Sequence, residues 1–422
     1  MLLSTPQCPR KLTPIKAPPP PAKKVATSKE DASNCRQVFG KKYGVFNGVL
    51  GKGSYGKVYR ARKAEGVEFA VKVERDVPVK HFKQPGRDLG VLTQEMMLLE
   101  HLKGSPRVIR MIDRAVTPPE KRQRLSTAED GNNNQGLAEW SCIVMPLYST
   151  TLLGYLFDRD ERWFPASTIL KMLIEGLEVM HTRSVANLDI KCDNILVNRD
   201  PNEYDVSDLV YTDFGSGRII TSDKGSRYVD GPLCTQPGRA PELFGQEGSA
   251  YLASDVFSVA CVMYRMLVGH HLFVDGLLDI LAFHLPSTTM TNRGKVMEQR
   301  RGCFVQQLQT IFVVDEHSTR FGQVWERMLS FHPHQRPSPK EVKEVFERCT
   351  VQENVDFCRP TNLPACNFDD SDMKPSFKWD MPLHPLYMKR LMGMTDLEAI
   401  LRSVNRMYKT WHDDEWVYNS VH

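Results

Sequence analysis

The sequence predicts an α+β protein in which a small antiparallel β domain with one helix precedes a larger α-rich domain. Between Phe46 and Val73 the apolar residues recur at strand spacing, with Val58, Tyr59, Phe69, Val71 and Val73 among them. Leu92, Met96, Leu99 and Leu102 then share one face of a helix spanning Leu89 to Lys103, and beyond about Leu147 helical spacing dominates. A length of 422 residues, 41% of them hydrophobic and 25% charged, suffices for two to three domains and a large core.

Strand-like runs at Val108 to Ile112 and Cys142 to Met145 flank a polar segment, Thr117 to Glu139, too long for an ordinary connection and expected to be a surface insertion. Ser167 to Thr182 carries Ile169, Leu170, Leu173, Leu177 and Met180 at helical spacing; Asp255 to Leu267 and Glu341 to Cys349 also read as helices. Residues 1–42 are rich in proline and basic residues, with little to bury, and read as a flexible arm. Its run Pro18 to Pro21, followed by Ala22, Lys23 and Lys24, suits an SH3-like groove, a localisation signal or a plain solvated tail. Residues 351–422 form an extension in which Tyr387 to Trp411 regains helical periodicity; Trp411, Trp416 and that apolar face suit either a partner or packing back on the large domain.

A net charge of +4 is too small to mark a nucleic-acid binder, and no direct nucleic-acid contact is expected. Ten cysteines without a C-x-x-C pair point to reduced thiols in a cytoplasmic or nuclear compartment. The first residues lack the apolar stretch of a secretory leader, and Ser258 to Phe273 is broken by Arg265, Gly269, His270 and His271, so no membrane association is expected.

Leu50, Gly51, Lys52, Gly53, Ser54, Tyr55, Gly56, Lys57 and Val58 fit G-x-G-x-x-G-x-V after the leading leucine, a pattern whose glycines bring backbone amides close to phosphates. Strand-like sequence follows it instead of the helix a dinucleotide fingerprint needs. Lys72 stands alone among apolar neighbours, where its desolvation is unfavourable unless an anion meets it. Glu95 is the favoured counter-ion and Glu100 its rival. Farther on, Asp189, Lys191 and Asn194 have the spacing D-x-K-x-x-N, and Asp213, Phe214 and Gly215 follow.

These motifs, in this order, resemble the eukaryotic-type serine/threonine protein kinase family. Ala240-Pro241-Glu242, Asp255 to Ser258 and Arg336 extend the resemblance over about residues 43–350. It implies the two-lobed protein-kinase fold, a small lobe of about 43–146 and a large lobe of about 147–350, with ATP between them and Mg²⁺ as cofactor. It also implies that Asp189 orients a substrate hydroxyl and takes its proton while Lys191 neutralises the phosphoryl group in flight. By the same resemblance Lys72 holds the non-transferred phosphates, Asn194 and Asp213 hold the metal, and Arg336 pairs with Glu242. Ala70, the gatekeeper Met145, and Leu147 within the hinge Pro146 to Tyr148 then surround the nucleotide.

Lys191 and Thr235 resemble the serine/threonine branch, so protein serines and threonines are the implied substrates; Thr235 and Ala240 to Glu242 count against a small-molecule kinase. Asp193 stands where some kinases with basic substrates carry an acid. The stretch Val144 to Leu156 is similar to kinases of herpesviruses and other large DNA viruses, which implies the cytoplasm or nucleus of a host cell.

Asn187 and Leu188 stand where most family members have His-Arg. The missing Arg removes the usual clamp for a phosphorylated activation segment, so activity is expected not to depend on phosphorylation at Thr221, Ser222 or Ser226. The same departure supports a rival reading, a pseudokinase acting as a nucleotide-binding scaffold. His270-His271 and His332-Pro333-His334 read as loop or surface histidines, and Cys192 and Cys234 as ordinary thiols.

Overall fold

Val71 and Val73 in β3 (Glu68–Asp76) are buried on one face of the strand, and Ala70 and Lys72 share the other. Register carries this division across the sheet: Val71 pairs Val144 and Val73 pairs Cys142 of β5 (Glu139–Pro146), while Ala70 pairs Met145 and Lys72 pairs Ile143. The first set joins Tyr43, Tyr59 and Ala61 in a core of its own; the second set, with Val58 opposite Lys72, forms the face that carries the site. The computed structural model describes residues 42–52, 56–76, 91–116, 139–158, 165–199, 206–222, 225–228, 237–244, 248–274, 276–285, 291–352 and a few positions from 394 to 402.

The small-lobe sheet has five strands in the order β1, β2, β3, β5, β4, where β1 is Val45–Lys52, β2 is Gly56–Arg62 and β4 is Asp113–Val116. Each neighbouring pair is antiparallel. Helix α1 (Val91–His101) buries Glu95, Met96, Leu98 and Leu99. The expected strand at Val108 to Ile112 is absent, because this stretch crosses from one lobe to the other. Ile109 N donates to Tyr211 O at 3.0 Å in the large lobe, whereas Ile112 N donates to Val144 O at 2.8 Å in the small one.

The large lobe is helical, as expected. Short β6 (Thr150–Thr151) and α2 (Leu152–Asp158) lead to α3 (Ala166–Thr182), where Ile169, Leu170, Leu173, Leu177 and Met180 are all fully buried. Then come β7 (Val185–Ala186), β8 (Ile195–Arg199), β9 (Val206–Tyr211), β10 (Arg218–Ile219), β11 (Ser226–Tyr228) and β12 (Gly248–Ala250).

The central helix α4 (Leu252–Val268) is buried along most of its length. It begins earlier than its apolar spacing suggests because Ser254 Oγ accepts from Tyr251 N, and it ends at Gly269, whose φ of 95° suits glycine. Helices α5 (Leu277–His284), α6 (Thr291–Ile311), α7 (Glu316–Met328) and α8 (Pro339–Phe346) complete the lobe. Trp325 of α7 stacks on Phe304 of α6 at 3.8 Å between ring centroids and donates Nε1–H to Ala260 O of α4, so one side chain joins three helices.

Fully buried Ile400 and the nearby Met394 pack into the large-lobe core, which favours packing over a partner for that part of the extension. The arm before Lys42, the insertion 117–138, Gly53 to Tyr55, Cys234, Thr235 and most of 353–422, Trp411 and Trp416 included, lie outside the described residues. His332 lies in a loop, as expected, but is buried, with its ring stacked on His334. The cysteine expectation needs correction. Cys192, Cys261, Cys303 and Cys349 are free thiols, but Cys142 is disulfide-bonded. Among the described residues no helix is long and apolar enough to cross a membrane.

A buried ion pair ties the middle of the large lobe to its last part: Arg336 Nη1 and Nη2 meet Glu242 Oε1 and Oε2 at 2.7 and 2.8 Å. Ser254 Oγ donates to the same carboxylate at 2.6 Å. Arg336→Met leaves Glu242 buried without its cation and is expected to lower stability by about 3–5 kcal/mol. Urea unfolding measures this; a loss of about 1 kcal/mol or less would contradict a structural role for the pair.

Candidate active site

Three separate parts of the chain meet at Lys72. From β3 its Nζ reaches Glu95 Oε2 of α1 at 2.7 Å and Asp213 Oδ1, two residues past β9, at 2.8 Å. Glu95 is fully buried, and its other oxygen accepts from Phe214 N at 3.3 Å. Glu100, the rival counter-ion, lies exposed beside Lys103. Burial opposes the charge on Lys72, but Glu95 and Asp213 outweigh it and hold the ammonium above the ordinary lysine value. Burial also pushes the Glu95 carboxyl up, against the pull of Lys72. At Asp213 burial acts the same way and is outweighed by Lys72, Lys191 and the Gly215 amide, which hold that carboxyl below its ordinary value.

The catalytic-loop stretch runs from β7 to β8. Lys191 Nζ donates to Asp189 Oδ2 at 2.9 Å, and Asn194 Nδ2 donates to Asp189 Oδ2 and to Asp189 O at 2.8 and 2.9 Å. The loop is braced from beneath by Asp255 of α4, whose two carboxylate oxygens accept from Asn187 N at 2.7 Å and Leu188 N at 2.9 Å. Leu188 and Asp213 have φ of 61° and 58°, in the left-handed region that disfavours L side chains by about 1–2 kcal/mol each. Asn187 replaces the family histidine as a brace: its Nδ2 donates to Thr212 O and its Oδ1 accepts from Asp189 N. Phe214 remains fully buried despite the exchange.

Of the expected nucleotide-binding positions, Leu50, Gly51 and Lys52 end β1, and Gly56, Lys57 and Val58 begin β2 in register with it. Gly53, Ser54 and Tyr55 lie outside the described residues. Ala70 and Met145 are buried side by side, and half-buried Leu147 follows β5. Asp255 was legible only as the start of a helix; a charged residue within an apolar helix was the available sign of its role. Burial pushes the Cys192 thiol up to about 12, so it is not poised to react.

Asn194 and Asp213 fit a hard divalent cation. Both hydrogen bonds of the Asn194 amide engage its nitrogen, which leaves Oδ1 as an oxygen donor, and the Asp213 carboxylate is 41% exposed.

Residues 45–346 match the protein kinase domain. The chain belongs to the protein kinase family. This kinase is similar to mitogen-activated protein kinase 14 of Oryza sativa subsp. japonica, at 28% identity over 316 residues, covering 70% of this chain and 52% of that protein. Mitogen-activated protein kinase 15 of the same organism is 29% identical over 316 residues, 70% of this chain and 56% of its own length. Mitogen-activated protein kinase 19 of Arabidopsis thaliana is 26% identical over 369 residues, 82% of this chain and 57% of its own. The chain spans about half the length of the curated relatives it matches.

Asn187→Ala removes both braces at once and is expected to lower stability by about 1–3 kcal/mol. It should also speed hydrogen exchange at the Asp189 amide. Unchanged protection of that amide would show that Asn187 does not hold the loop.

Proposed function

We propose that this kinase transfers the γ-phosphate of ATP to serine and threonine hydroxyls of protein substrates. The observation that carries the reading is the convergence of Lys72, Glu95 and Asp213 beside an oriented Asp189. Asp189, fixed by Lys191 and Asn194, orients the hydroxyl and accepts its proton; Lys191 then neutralises charge on the phosphoryl group. Lys72, kept protonated by its two carboxylates, holds the non-transferred phosphates. Asn194 and Asp213 hold magnesium, which when bound neutralises phosphate charge. The glycine strands, Ala70, Met145 and Leu147 enclose the nucleotide.

Lys191 and Thr235 support the choice of serine and threonine, and Asp193, exposed beside the loop, supports a preference for basic residues near the target. We assign residues 43–350 to the kinase domain, with 1–42 and 351–422 as extensions. An SH3-like or localisation partner for the arm, residence in the cytoplasm or nucleus, and a source in a large DNA virus rest on the sequence features alone.

Radiolabelled phosphate transfer to a protein substrate, followed by phosphoamino-acid analysis, tests the reading. Wild type is expected to label serine and threonine, and Asp189→Asn to lose at least about 100-fold in rate. Nucleotide binding without transfer by wild type would select the scaffold reading instead.

Two described stretches between Asp213 and Ala250 are held by backbone pairing. Arg218 and Ile219 pair with Ala186 and Val185, and Ser226 to Tyr228 pair antiparallel with Gly248 to Ala250. Buried Leu188 offers no cation for a phosphate. The triple variant Thr221→Ala, Ser222→Ala, Ser226→Ala is therefore expected to keep transfer within about threefold of wild type. A fall of 100-fold would contradict this.

A further inference from the structure

A second charged cluster joins the lobes at the hinge. Arg107, in the connector between α1 and β4, donates from Nη1 to Asp208 Oδ1 of β9 at 2.8 Å and from Nε to Glu175 Oε2 of α3 at 3.1 Å. The second oxygen of the same carboxylate, Asp208 Oδ2, accepts from the Tyr148 hydroxyl at 2.8 Å. One carboxylate thus engages the hinge with one oxygen and the small-lobe connector with the other. Burial and Asp208 hold the Tyr148 hydroxyl above the ordinary phenol value, so it stays protonated as a donor.

The connector is fixed where this cluster needs it. Tyr211 N donates to Arg107 O at 2.9 Å, and Ile109 N donates to Tyr211 O at 3.0 Å, which clips residues 107–109 onto the end of β9. Arg107 adopts φ of 60°, a conformation an arginine holds only when its surroundings impose it. Gly176 makes room: a Cβ there would lie 2.5 Å from Tyr211 Cε2 and 2.9 Å from Arg107 Cβ. A glycine inside a helix is unfavourable by about 1 kcal/mol relative to alanine, and this close approach accounts for it. Two residues past Tyr211 stands Asp213, so the same strand serves both clusters.

We propose that Asp208 is a positioning residue that, through Tyr148 and Arg107, fixes the hinge backbone against the α1–β4 connector and thereby sets the affinity for nucleotide. This rests on the reading above that the hinge Pro146 to Tyr148 helps to enclose the nucleotide. Arg107, Glu175 and Asp208 are each between about a quarter and two-fifths exposed, so the pairs alone contribute modest stability. Their effect is on geometry, since an ungoverned hinge samples orientations that do not fit the base.

The test uses the full chain with Asp208→Asn, Tyr148→Phe and the double variant. It measures KM for ATP and kcat by phosphate transfer, and Kd for ADP by calorimetry. Each single variant is expected to raise KM and Kd about fivefold, with kcat falling less than twofold. The double variant should match Asp208→Asn alone, because the same link is broken. Unchanged ADP affinity in the single variants, or effects that multiply in the double variant, would overturn the proposal. Tyr148→Phe removes one oxygen atom and decides alone if Asp208→Asn does not fold. If wild type binds ADP but transfers no phosphate, the catalytic reading fails while the ADP affinities still judge Asp208; wild type that binds no ADP overturns both.

Discussion

The structure depends on one cation, the Lys72 ammonium, held between two carboxylates. Lys72 carries its charge on the inner face of a sheet, where desolvation is compensated only because two carboxylates from distant parts of the chain arrive within 2.8 Å. Each carboxylate is attached to an element whose position then follows. Glu95 sets the depth of α1 against the sheet and, through Phe214 N, ties that helix to the segment after β9. Asp213 brings that segment up to the small lobe. The sheet, the helix and the large lobe are therefore aligned by side chains that would be costly to leave apart.

The large lobe answers with a buried carboxylate under the loop that carries Asp189. Asp255, within a helix that is otherwise mostly apolar, takes the amides of Asn187 and Leu188 and so holds a loop containing a left-handed leucine. Hydrogen bonds to a charged acceptor contribute about 1.5–3 kcal/mol each, enough to offset the conformational cost at Leu188. The result is an Asp189 loop whose geometry is set by the helix beneath it. Asn187 adds a neutral brace from the side, and Phe214 stays fully buried.

Much of this was legible in the sequence, and for physical reasons. Lys72 is conspicuous because a lone charge in an apolar strand demands a partner, and the helical face around Glu95 identifies which acid is buried. The spacing of Asp189, Lys191 and Asn194 is a local pattern, and so are the long helices with regular apolar periods. What could not be read was non-local or irregular. Val108 to Ile112 has strand composition, yet it is split between two lobes, a matter of topology that no period encodes. The Tyr148–Asp208–Arg107 link spans residues about 100 apart in the chain, each an ordinary surface type in isolation. His332 was legible as a loop residue, but its burial was not, because burial in a loop follows from what packs over it and has no local period.

The most direct measurement is a crystal structure with magnesium and a non-hydrolysable ATP analogue. Phosphate oxygens within hydrogen-bond distance of Lys72 Nζ, the cation on Asp213 and Asn194, and the terminal phosphate beside Asp189 are the predicted result. A nucleotide bound elsewhere, or one in the cleft whose phosphates do not approach Lys72, would contradict the account.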